Sequence, residues 1–137
     1  MEKDTKMDHK KFITYINSFL GYNRHNGITL VELEEGHSVV EVKLTRESMN
    51  PQGSAHDGLM FSLADTAAGC CACSKGGHCV TSNCTMEFLR PATGKKIFCE
   101  ATPKKMGRSL STIQTVLTND ENAVVATGTF TFFMLDV

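Results

Sequence analysis

Two stretches of the chain alternate apolar and polar residues with a period of two. Val40, Val42 and Leu44 alternate with Glu41 and Lys43, and Val125, Thr127, Thr129 and Thr131 alternate with apolar neighbours near the C-terminus. A period of two describes a strand with one buried and one solvated face. The first stretch belongs to a hairpin of residues 28–35 and 38–45 turned by Glu34-Glu35-Gly36-His37, and the second predicts a strand over 123–134. Three further strand-like runs, 78–89, 96–106 and 109–118, are punctuated by Thr93-Gly94, Met106-Gly107 and Asn119 to Asn122.

Helical spacing occurs twice. Phe12, Ile13, Ile16, Phe19 and Leu20 follow Asp8, a favoured N-cap type, and predict a cover helix ending near Leu20. The segment Gly21 to Gly27 then reads as a polar loop with His25 solvated within it. A second helix runs from Asp57 to Ser74 and stops at Lys75-Gly76-Gly77. It is built from small and apolar residues. The order of helix, two strands, long helix and four strands predicts an antiparallel six-stranded sheet of the α+β class. The apolar helix is buried most simply if that sheet curls around it. Residues 1–24 read as an N-terminal helix and loop, and residues 25–137 as one domain.

Composition narrows the picture. A chain of 137 residues suits one domain with a real core. A net charge of -1 with mixed signs gives no bulk attraction to nucleic acid. No apolar run reaches membrane-spanning length and Met1-Glu-Lys-Asp-Thr-Lys lacks a signal-peptide core, so the expectation is a cytoplasmic protein without membrane or nucleic-acid partners. Six cysteines include one C-x-x-C, Cys70 and Cys73, but the second half of a zinc site is missing. They read as small buried hydrophobes, with no metal and no disulfide framework expected.

The chemistry concentrates between Ser54 and Ala67. His56, Asp57 and Gly58 stand where the long helix begins, and helix N-termini offer unpaired N–H groups to a developing negative charge. Asp65 is a lone carboxylate further along the same apolar helix. It lies about 12 Å from Asp57 along the axis, at about 1.5 Å per residue. Reacting atoms must approach to roughly 3–3.5 Å. One chain therefore cannot combine its own Asp65 with its own helix start. If the stretch is catalytic, two antiparallel copies share two sites in a homodimer.

The layout, with Asp65 nine residues after His56 and Asn50 six before it, resembles the hotdog-fold acyl-CoA thioesterases of the phenylacetic-acid-degradation type. Phe88-Leu89-Arg90-Pro91-Ala92 and the turn Gly107-Arg108-Ser109 add to the resemblance, which covers residues 25 to 134. It implies a hotdog fold, a dimer or dimer of dimers, and hydrolysis of an acyl-CoA to free acid and CoA without a further cofactor. Asp65 would be the nucleophile or general base, and the N–H of Asp57 or Gly58 the oxyanion donor. His56 would orient the loop, Asn50 would bind the carbonyl or the water, and Thr81 would assist Asp65. Arg90, Arg108 and Ser109 would hold coenzyme A phosphates, with Lys95, Lys96, Lys104 and Lys105 weaker candidates. Met60 and Phe61 are candidates for the acyl pocket.

The family pattern has glycine where this chain has Asp57. Glycine there would matter if a positive φ were needed, or if a side chain crowded the substrate. Gly69 stands one turn after Asp65, where a related hotdog group carries a hydroxyl. Two rival readings share the fold: a non-catalytic acyl-CoA sensor, and an enoyl-CoA hydratase or dehydratase using His56 with Asp65.

Overall fold

The computed structural model describes residues 7–135. Helix α1, His9–Ser18, is capped by the Asp8 side chain, which accepts the Lys11 N–H at 3.1 Å. A one-turn helix α2, Tyr22–His25, occupies the segment that reads as a loop. Two strands follow, β1, Ile28–Glu34, and β2, His37–Lys43. A short 3-10 turn over Arg46–Ser48 leads to the central helix α3, Asp57–Ala72. The remaining strands are β3, His78–Phe88, β4, Lys96–Met106, β5, Leu110–Asn119, and β6, Val124–Leu135.

All neighbouring strands are antiparallel, in the order β1-β2-β4-β5-β6-β3. Helix α3 packs chiefly on β4, β2 and β5, at the middle of the sheet. Its residues Met60, Leu63, Ala64, Ala67, Ala68 and Cys71 are fully buried against Val40, Val42, Ile97, Cys99, Ile113 and Leu117. The small side chains let the sheet close around the helix. The α+β class, the six antiparallel strands and the wrapped helix are those expected from the sequence.

Polar contacts fix the helix on one side of its apolar bed. Ser38 Oγ, fully buried, donates to the Ala67 carbonyl at 2.6 Å, and Ser74 Oγ accepts the Gly36 N–H at 2.8 Å. A buried hydroxyl needs such a partner, and here each partner also sets the position of α3 against the β1–β2 hairpin. Helix α1 lies along β1, where Asn17 donates to the Leu30 carbonyl at 2.8 Å and accepts its N–H at 2.9 Å.

Candidate active site

The chain reaches α3 through a loop that Asn50 organises. Its Oδ1 accepts the N–H groups of Gln52 and Ser54 at 3.0 and 3.1 Å, and its Nδ2 donates to Ser54 Oγ at 3.0 Å. A side-chain amide mimicking a backbone turn suits Asn at this place. Both polar atoms of Asn50 are thus engaged in the loop, and a single Nδ2 hydrogen remains free to face a substrate. The loop is anchored where Ala55 donates to the Ala92 carbonyl at 2.8 Å and His56 to the Ser48 carbonyl at 2.9 Å.

His56 is the N-cap of α3. Its Nδ1 accepts the Gly58 N–H at 2.8 Å, doing with an imidazole what Ser or Asp does at most helix starts. This explains Gly58, because a Cβ there would sit 2.9 Å from that nitrogen. It also separates the two candidate donors. The Gly58 N–H is taken, whereas the Asp57 N–H has no acceptor among the described residues. Asp57 has no positive φ, so the aspartate is unstrained where the family pattern has glycine. Asp57, like His56 and Gly58, is exposed.

Asp65 lies two turns along the same helix, partly buried on the side facing β3. Thr81 Oγ1 donates to its Oδ1 at 2.8 Å. The pairing that the sequence suggested only through resemblance is thus a direct contact, made across 16 residues of chain. The Asp65 charge is felt by nearby thiols. Burial pushes Cys70 up to about 12, with the charges of Cys73, Cys71 and Asp65 adding to it. Burial and then the Asp65 charge raise Cys84. Among the described residues no three His, Cys, Asp or Glu side chains are grouped to hold a metal ion.

The other candidates are distributed differently. Arg90 donates its N–H to the Val125 carbonyl at one end of β6, whereas Ser109 accepts from Met134 at the other. Nine residues of strand separate them, about 30 Å at roughly 3.3 Å each. Arg90 and the Arg108–Ser109 turn therefore lie far apart within one chain, a separation that spacing in the sequence could not have shown. Met60 is 1% exposed and belongs to the core rather than to an acyl pocket. Phe61 is 40% exposed, with its ring 5.7 Å from that of Phe130.

A feature absent from the sequence reading adjoins the helix start. A cavity of about 650 Å3 is bounded by Tyr22, Arg24, Lys43, Met49, His56 and Leu59, with His25 on its wall as well. Tyr22 reaches it because α2 turns the chain back over α3, where the Tyr22 hydroxyl and Ser62 Oγ are 2.9 Å apart. Ser62 in turn donates to the Gly58 carbonyl at 2.9 Å. These residues come from three separate segments, so no periodicity or spacing links them.

A family model described as Thioesterase superfamily matches residues 52–126. The acyl-coenzyme A thioesterase PaaI of Escherichia coli is 34% identical over 101 residues, which are 73% of this chain and 72% of that protein. The solved structure of E. coli PaaI superposes with a TM-score of 0.84 at 27% identity, covering 93% of this chain and 92% of that one. A Streptococcus mutans protein solved bound to acetyl CoA superposes with a TM-score of 0.78 at 26% identity, over 87% of this chain and 97% of that one.

Proposed function

The chain belongs to the thioesterase superfamily and is a thioester hydrolase with the hotdog fold; from that premise we propose that its substrate is an acyl-coenzyme A, cleaved to free acid and CoA at sites shared by two copies of the chain. The observation that carries the site assignment is the Asp65–Thr81 pair, a partly buried carboxylate held by a hydroxyl on an edge strand. The Asp57 N–H of a second copy supplies the donor that polarises the thioester carbonyl. Thr81 holds one carboxylate oxygen and leaves the other to act as nucleophile or as base toward water. Charge develops on the carbonyl oxygen, where a preorganised amide at a helix N-terminus is most effective. The thiolate of CoA leaves without strong acid assistance.

Support for the shared site comes from distance, since Asp65 and Asp57 stand eight residues apart on one continuous helix. The six cysteines are all free thiols, which suits a reducing compartment, and we place the enzyme in the cytoplasm. No helix among the described residues is long and apolar enough to cross a membrane.

The deciding experiment follows a panel of acyl-CoAs by loss of thioester absorbance, with wild type beside Asp65→Asn. One acyl class turned over by wild type, and slowed roughly 10³-fold in the mutant, is expected. Saturable binding of acyl-CoA without turnover would replace hydrolysis by ligand sensing.

A further inference from the structure

Cys73 and Cys79 meet where α3 hands over to β3. Cys73 is the buried C-cap residue of α3, with its N–H on the Gly69 carbonyl. Cys79 is the second residue of β3 and is partly buried. Their sulfurs are 3.2 Å apart, and Cys79 Sγ lies 3.7 Å from the Gly69 carbonyl oxygen. A disulfide closes two sulfurs to about 2.0 Å, so roughly 1 Å of movement would join them. The loop between them contains Gly76 at φ 107° and Gly77 at φ 87°, where the backbone is free of Cβ constraints.

The pair is also polarised. Hydrogen bonding to Cys79 holds the Cys73 thiol below its ordinary value, whereas the same contact together with burial pushes Cys79 up. The four remaining cysteines, Cys70, Cys71, Cys84 and Cys99, are all pushed up by burial first. The contact between the two sulfurs thus makes this pair the place where a thiol ionises most readily, and thiolates are the reactive form.

We propose that Cys73 and Cys79 form a peroxide-reactive thiol pair that closes to a disulfide between α3 and β3. The Cys73 thiolate attacks one oxygen of hydrogen peroxide, the O–O bond breaks, and the departing hydroxide takes a proton from solvent. This leaves Cys73 as a sulfenic acid and one water. The Cys79 sulfur then attacks the Cys73 sulfur. The S–O bond breaks, and hydroxide leaves with the Cys79 proton as a second water. Two thiols lose two electrons and peroxide gains them. The cross-link ties the strand of Thr81 to the helix of Asp65, and Cys79 and Thr81 share one face of β3 through the period of two.

The test needs no assay of turnover, so it stands apart from the hydrolase reading. Reduced protein is titrated with equimolar hydrogen peroxide, and the remaining thiols are alkylated and counted by intact mass. Wild type should fall from six free thiols to four while losing two hydrogens. Trypsin cuts after Lys75, so the bond should link peptide 47–75 to peptide 76–95. Cys79→Ser should stop at a Cys73 sulfenic acid trapped by dimedone, and Cys73→Ser should yield no link. Oxidised wild type should also melt roughly 5 °C higher than reduced, a gain that dithiothreitol removes and Cys79→Ser lacks. A different linked pair, a first sulfenic acid on another cysteine, or six thiols surviving peroxide would each overturn the proposal.

Discussion

The sheet ends in two edge strands that the chain finishes in different ways. Along β1 a helix covers the margin, Asn17 occupies both backbone groups of Leu30, and the pairing with β2 slips between Leu30 and Glu32. Covering and bulging are established ways to stop an edge from recruiting another strand. Along β3 the pairing with β6 also slips, between Thr81 and Asn83, but among the described residues no helix packs along its outer margin as α1 does along β1. The strand is exposed along most of its length, with Val80 48% and Phe88 46% exposed. It also carries Thr81, the partner of Asp65. The guarded edge lies away from the candidate site, and the open edge is part of it. In our reading the open edge receives the second copy that completes each site.

The largest effect should come from charging each edge in turn. Val80→Lys sets like charges against each other when two β3 strands meet, and should give a monomer by light scattering. Turnover should fall roughly 10³-fold or more, because in our reading one chain holds only half of each site. The matched Val31→Lys on β1 should keep the parent's mass and rate. Equal behaviour of the two variants would erase the distinction between the edges.

A smaller loss is expected from Asp57→Pro. Proline is favoured at the first position of a helix, and His56 already has the extended backbone that a following proline requires, at φ −61° and ψ 136°. The substitution should fold normally and remove one N–H. A fall in kcat of roughly 10²-fold is expected with the dimer intact. When mixed with Asp65→Asn chains, it should recover about a quarter of wild-type activity, because half the dimers then hold one good site. No recovery in confirmed mixed dimers would contradict shared sites.

Thr81→Val keeps the shape of the side chain and removes the hydroxyl from Asp65. A loss of about tenfold in kcat is expected, the size of one hydrogen bond to a charged group. The smallest kinetic effect should come from Asn17→Ala on the guarded edge. It forfeits two hydrogen bonds and should cost about 1–2 kcal/mol of stability, a fall in Tm of several degrees, with the rate unchanged.

The sequence disclosed what depends on local period and on fixed spacing. The alternation at Val40 to Leu44, the glycines after α3 and the interval from His56 to Asp65 were all readable in this way. Helix α2 was not, because four residues between Gly21 and Gly27 are too few to show a period. The roles of Asn50 and Gly58 depend on where a side chain turns after leaving the backbone, which no spacing encodes. Arg90 and Arg108 carry the right chemistry for phosphate, but the sheet register places them at opposite ends. The cavity at the start of α3 is likewise assembled by the fold from segments that are unrelated in sequence.

The start of α3 has a consequence for how this gene can drift. A main-chain amide is supplied by every codon except those for proline, so a donor at position 57 is invisible to most point mutations. Selection on the side chain there is uncoupled from selection on the amide. Aspartate can therefore stand at position 57 without loss of the amide, and other residues could replace it. Position 58 has no such licence, because the imidazole of His56 fills the space any larger residue would need.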